Sequence, residues 1–145
     1  MIQRLLDRAG MRVQDLTGVV MSDGPGSFTG LRVGAAVAKS LAHAHRMAFA
    51  TAPSLLVRAA ALGAEGSTVL AVSNALRGEV YAAIFRFGRQ SVHPVIRPAV
   101  WSPAALVEQA PRPDAIVGEA PPDALAVLEA WSGMRVIGPP STDIV

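Results

Sequence analysis

The chain has no cysteine. Disulfide frameworks, zinc–thiolate sites and thiol nucleophiles are therefore excluded. Lysine is nearly absent too: Lys39 is the single lysine among thirteen basic residues. Aromatic residues make up 5% of the chain and charged residues 17%, against 51% apolar. Such a balance favours a packed core over disorder. The formal net charge of +2 is too small, on charge alone, to point to nucleic acid. No apolar run approaches the roughly 18 residues of a membrane span. The longest weakly polar stretch, Phe28 to His45, is interrupted by Arg32 and Lys39. The first ten residues, M-I-Q-R-L-L-D-R-A-G, lack the apolar core and small-residue cleavage site of a secretory signal. The expected compartment is the cytoplasm, with no membrane partner. A chain of 145 residues can form one domain with a real core, or two small lobes.

Ser22 to Ala42 reads S-D-G-P-G-S-F-T-G-L-R-V-G-A-A-V-A-K-S-L-A. It follows the apolar run Val19-Val20-Met21. Two glycines flank Pro25, so the backbone must turn sharply there. Ser27 or Thr29 can then cap a helix. The pattern predicts strand, tight turn, long helix. Along that helix Gly30, Gly34, Ala38 and Ala42 recur four apart, beside an apolar row of Val33, Val37 and Leu41. Arg32, Lys39, His43 and Arg46 fall on its polar side. Glycine inside a helix costs roughly 1 kcal/mol relative to alanine, which suggests close packing, either in the core or against a partner.

Ile2, Leu5, Leu6 and Ala9 form one face of a first helix, with Gly10 as its C-cap. Leu16 to Ser22 reads as a buried strand and Met47 to Ala52 as a short one. A helix from Pro53 ends near Gly63. Ser67–Ser73, Glu79–Phe87 and Val92–Val100 read as an antiparallel meander. Its middle strand is apolar on both faces, and Pro94 and Pro98 place the third at an edge. A short helix to Gln109, a strand at Ala115–Gly118, a helix at Pro122–Trp131 and a strand at Arg135–Ile137 complete the pattern. The last residues, G-P-P-S-T-D-I-V, read as a loop. Alternating α and β segments imply a layered α/β fold.

Chemistry-bearing residues do not assemble into a catalytic site. The turn offers Gly24, Gly26, Ser27 and Thr29 at a helix N-terminus, the outline of a phosphate cradle. But there is no G-K-[ST], and Gly24-x-Gly26-x-x-x-Gly30 misses the dinucleotide spacing by one residue. Asp23 before glycine suits a turn. His43 and His45 are two apart on a helix and point to different sides, so they cannot share a metal as an i, i+4 pair does. Ser27 is not in G-x-S-x-G, and no base is placed to serve Ser27 or Ser54. Neither a cofactor nor a metal site is expected.

The stretch D-G-P-G-S-F-T-G-L-R-V-G, Asp23 to Gly34, resembles a segment shared by the TsaB family, also called YeaZ. Three further segments agree in order and spacing: T-A-P-S-L at Thr51–Leu55, G-E-V-Y at Gly78–Tyr81, and a P-x-x-x-D-like tail near Pro140 and Asp143. The resemblance implies an α/β fold of the actin/Hsp70-like ATPase superfamily (ribonuclease H-like). It implies residues 1–52 as a remnant of the N-terminal lobe and 53–145 as a C-terminal lobe incomplete at its end. The family opens with an I-D-T-S-like strand and two more strands, and closes with a further helix and a Y-L-R-like ending. This sequence lacks them, so a chain truncated at both ends is expected. The family's D-x-R-x-G-E-V-Y stands here with Asn74 for Asp and Leu76 for Arg.

Family members are not themselves catalytic. The resemblance implies a scaffold subunit that pairs with the TsaD paralogue, alongside the ATPase TsaE, in attaching a threonylcarbamoyl group to adenosine beside the tRNA anticodon. Contact with tRNA would be indirect. Pairing would use the first two helices, through Ile2, Leu5, Leu6, Ala9, Gly30, Val33, Gly34, Val37, Ala38 and Leu41. A phosphate- or nucleotide-binding enzyme of the same superfamily, and a regulatory homodimer, are the alternatives.

Overall fold

A computed structural model describes residues 2–138. The tail near Pro140 and Asp143, with the expected terminal loop, lies outside the described residues. The chain divides into two compact units, Met1–Ala52 and Pro53–Val145.

The first unit opens with α1, Ile2–Ala9. Gly10 ends it at φ +64°, a conformation cheap only for glycine, and the Met11 N–H donates back to the Leu6 carbonyl at 2.9 Å. A single 3-10 turn, Val13–Asp15, follows. Arg12 pairs with Asp15 at 3.2 Å and holds the Asp15 carboxyl below its ordinary pKa through side-chain and then backbone hydrogen bonds. Next come β1, Gly18–Ser22, α2, Phe28–His45, and β2, Ala48–Ala52. The strands pair in parallel from Gly18↔Ala48 to Ser22↔Ala52, with α2 as the crossover. Ser27 is the helix cap: its Oγ accepts the Gly30 N–H at 3.3 Å. Thr29 already lies inside the helix.

The second unit runs α3, Ser54–Ala60, β3, Thr68–Asn74, β4, Val80–Phe87, β5, Val92–Trp101, α4, Pro103–Gln109, β6, Ala115–Gly118, and α5, Pro122–Ser132. Its sheet has the order β5-β4-β3-β6. The β3–β4–β5 meander is antiparallel and β6 joins β3 in parallel. Alternate side chains leave a strand on opposite faces, and both faces are covered. Leu70, Val72, Val80, Ala82, Ile84 and Ile116 pack with Leu106 of α4 and Ala124 and Leu128 of α5. Val69, Ala71, Ala83, Phe85, Phe87 and Val117 pack with Leu55 and Ala59 of α3. This explains why β4 is apolar on both sides. β5, with Pro94 and Pro98, takes the edge. At the start of β3, the Thr68 N–H and Oγ1–H each donate to Asp114 Oδ2 at 2.7 Å. Those bonds, backbone first, lower the pKa of Asp114.

Two expectations are corrected. The segment Leu16–Ser22 is not a buried strand: pairing begins at Gly18, and Val20 is 72% exposed. The reason is that β1 has one strand neighbour among the described residues, so its apolar side chains lack a full cover. Arg135–Ile137 is not a strand but a single bridge, Val117↔Ile137. No helix among the described residues is long and apolar enough to cross a membrane.

Candidate functional site

The small-residue stripe of α2 splits in two. Ala38 and Ala42 are 7% exposed and belong to the packing of the unit. Gly30 and Gly34 do not. A Cβ placed on Gly34 would meet nothing within 4 Å, and one on Gly30 would meet only its own capping Ser27, at 3.5 Å. No internal neighbour therefore demands glycine at either position. Among the described residues, no packing at these positions offsets their cost to helix stability.

These positions open onto a groove of about 900 Å³ in the first unit. One wall is α2, through Gly30, Val33, Gly34, Val37, Ala38 and Leu41; another is Ile2 and Gln3 of α1; the rest is Leu16 and Gly18 to Met21. Successive strand residues point to opposite faces. All of Gly18 to Met21 line the groove, so it runs along the edge of β1 rather than over one face. The wall side chains are uncovered: Ile2 is 40% exposed, Val33 58% and Val37 41%.

Of the expected interface residues, Ile2, Gly30, Val33, Gly34, Val37, Ala38 and Leu41 are brought together here. Leu5, Leu6 and Ala9 are not in the lining. Leu6 is turned inward at 7% exposure, whereas Leu5 is 45% exposed. Leu16 and the residues of β1 were missed as lining. Their signal, an apolar run of strand character, is the same in a buried strand. The residues of the phosphate-cradle outline, Gly24, Gly26, Ser27 and Thr29, are not in the groove's lining. Ser27 Oγ is engaged by the helix, and Leu31 packs beneath Gly24 and Gly26 at 3.4 and 3.9 Å from where their Cβ atoms would stand. Among the described residues no cluster of His, Asp and Glu could hold a metal ion. The lowered carboxyls, Asp15 and Asp114, are both committed to structural bonds. Asn74, where the resemblance expects Asp, accepts the Leu76 N–H at 2.8 Å, and Leu76 and Arg77 both sit at positive φ in that hairpin. The groove offers shape and apolar surface.

Comparison with known proteins places this architecture. A family model described as "TsaD: tRNA N6-adenosine threonylcarbamoyltransferase" matches residues 1–128. The chain is 33% identical over 86 residues to the tRNA threonylcarbamoyladenosine biosynthesis protein TsaB of Bacillus subtilis (strain 168), covering 59% of this chain and 38% of that protein. It is 35% identical over 88 residues to the protein of the same name from Escherichia coli (strain K12), again over 59% and 38%. Among solved structures, YeaZ from Pseudomonas aeruginosa aligns with a TM-score of 0.65 at 26% identity, over 81% of this chain and 56% of that one. The matches to the curated relatives thus span about two-fifths of their length. The fold is of the actin/Hsp70-like ATPase type. The chain belongs to the family that the TsaD model describes, as a TsaB/YeaZ member.

Proposed function

We propose that this chain is a non-catalytic scaffold subunit in tRNA N6-threonylcarbamoyladenosine biosynthesis, and that its groove receives the TsaD paralogue. The observation that carries the reading is the open Gly30–Gly34 face of α2, where no described residue outside the helix packs on the glycines and apolar side chains stand uncovered. A row of small residues lets a partner helix approach closely, and apolar walls supply the area that association needs. TsaE would join the larger assembly, which would act on tRNA in the cytoplasm. A homodimer through the same groove is what the free chain would form without its partner.

The test is complementation. A strain depleted of its own TsaB receives this chain, or the longest in-frame protein that contains it, and the modified nucleoside is quantified in digested tRNA. Restoration of the nucleoside, with co-purification of the TsaD paralogue, is the expected result. Absence of both refutes the role.

A further inference from the structure

α2 carries a second surface, on the side away from the groove. At 100° per residue, Phe28, Arg32, Lys39 and His43 fall within one sector of about 60°, and Arg46, the C-cap at φ +52°, follows the helix end. The groove residues Gly30, Val33, Gly34, Val37 and Leu41 centre roughly opposite. All five residues of the first set are exposed. From Arg32 to Arg46 the ridge is about 21 Å long. There is no Asp or Glu anywhere in α2. Among the described residues Arg32, Lys39 and Arg46 form no ion pair; those recorded are Arg12–Asp15 and Arg58–Glu119.

A plain solvated helix face does not account for this. Cations at a helix C-terminus complement the macrodipole, which explains His43 and Arg46. It does not explain Arg32, which sits near the positive end, or Lys39 in the middle. Ordinary exposed helices also intersperse charges of both signs, since i, i+4 pairs of opposite charge stabilise them. Here one sign alone is displayed. At its head Phe28, 69% exposed, lies under the Arg32 guanidinium, 4.2 Å from ring centroid to Cζ. A solvent-facing aromatic stacked with arginine is a platform for an unstacked base. The row of cations behind it matches a phosphate backbone by charge complementarity. The small net charge of the whole chain hides this, because the carboxylates lie on other elements.

We propose that the basic ridge of α2 binds RNA directly, contacting backbone phosphates through Arg32, Lys39 and Arg46 and stacking a base on Phe28. The choice of RNA over another polyanion rests on the reading of the chain as a subunit of a tRNA-modifying assembly; the ridge itself does not. One helix would then hold a protein partner on one face and the RNA on the other.

The experiment is fluorescence anisotropy of the full chain with an unmodified tRNA transcript, across a salt series. Three phosphate contacts predict a slope of log K against log salt of roughly −2 to −3. Arg32→Glu/Lys39→Glu should weaken binding at least about tenfold and flatten the slope by about two. Phe28→Ala should weaken it by roughly tenfold with the slope unchanged. The milder pair Arg32→Gln/Lys39→Gln, with far-UV circular dichroism, guards against misfolding; it too should bind more weakly. Equal affinity for tRNA in the Gln pair, or no binding by the wild type, overturns the proposal. So does preference for phosphatidylserine vesicles over tRNA, which would assign the ridge to a membrane surface. A wild-type chain that captures the TsaD paralogue but ignores tRNA refutes the ridge and leaves the scaffold reading standing. Binding of tRNA without capture of the paralogue does the reverse.

Discussion

Gly118 shows how much one residue can fix. It closes β6 at φ +136°, and a Cβ there would stand 1.9 Å from the Val72 carbonyl oxygen. The Gly118 N–H also donates to the Ile137 carbonyl at 2.9 Å. Both the backbone conformation and the close approach of β3 exclude any side chain. Gly118→Ala should lower unfolding stability by at least about 2 kcal/mol through strain and overpacking, measured by urea denaturation. A loss under about 0.5 kcal/mol would mean that β6 shifts freely. Gly34 is the opposite case. Among the described residues nothing stands within 4 Å of a Cβ placed there. The sequence displays both simply as glycine. The distinction depends on backbone angles and distant neighbours, which spacing does not encode.

At the scale of the element, α2 and the meander were legible and β1 was not. The i, i+4 repeat of small residues and the Ser27 cap marked α2 to within a residue. Alternating and continuous apolar runs marked β3, β4 and β5. β4 is buried because β3 and β5 flank it and helices cover both faces. β1 has the same apolar character, yet Val20 is 72% exposed. Burial of a strand is decided by its neighbours, and a local run of residues cannot report them. Arg135–Ile137 failed likewise, since β character without a ladder yields one bridge. The contrast predicts amide exchange. Local opening tracks exposed backbone and sparse packing, so the amides of β4 should exchange far more slowly than those of β1 and β2 in the free chain. Native-state hydrogen exchange measures this directly. Equal protection in β1 and β4 would contradict the open strand edge.

For the whole molecule, both units expose apolar side chains, and in the first unit several of them are gathered along one groove. Ile2, Val33 and Val37 are all at least 40% exposed and line that one groove, and contiguous patches of this kind mark interaction sites. The layered α/β class followed from the alternation of segments, and the family from the turn-helix motif at Asp23–Gly34. The groove was partly legible: its α1 and α2 walls are visible as helical faces, and its strand edge follows only from the family comparison, which leaves the Thr17–Ser22 strand short of neighbours. The polar side of α2, with Arg32, Lys39, His43 and Arg46, was legible from helical spacing, whereas the Arg32 guanidinium over the Phe28 ring was not. What unites these surfaces is α2, and the central claim is that its glycine face seats a partner.

Titration calorimetry of the chain with purified TsaD paralogue tests that claim most directly, comparing wild type with Gly34→Leu. Position 34 has open space in the free chain, so the variant should keep its far-UV circular dichroism while its side chain fills the approach of a partner helix. The account predicts saturable binding by the wild type and at least about a hundredfold weaker binding by Gly34→Leu, a loss of about 2.7 kcal/mol. Unchanged affinity in a folded Gly34→Leu chain would contradict it.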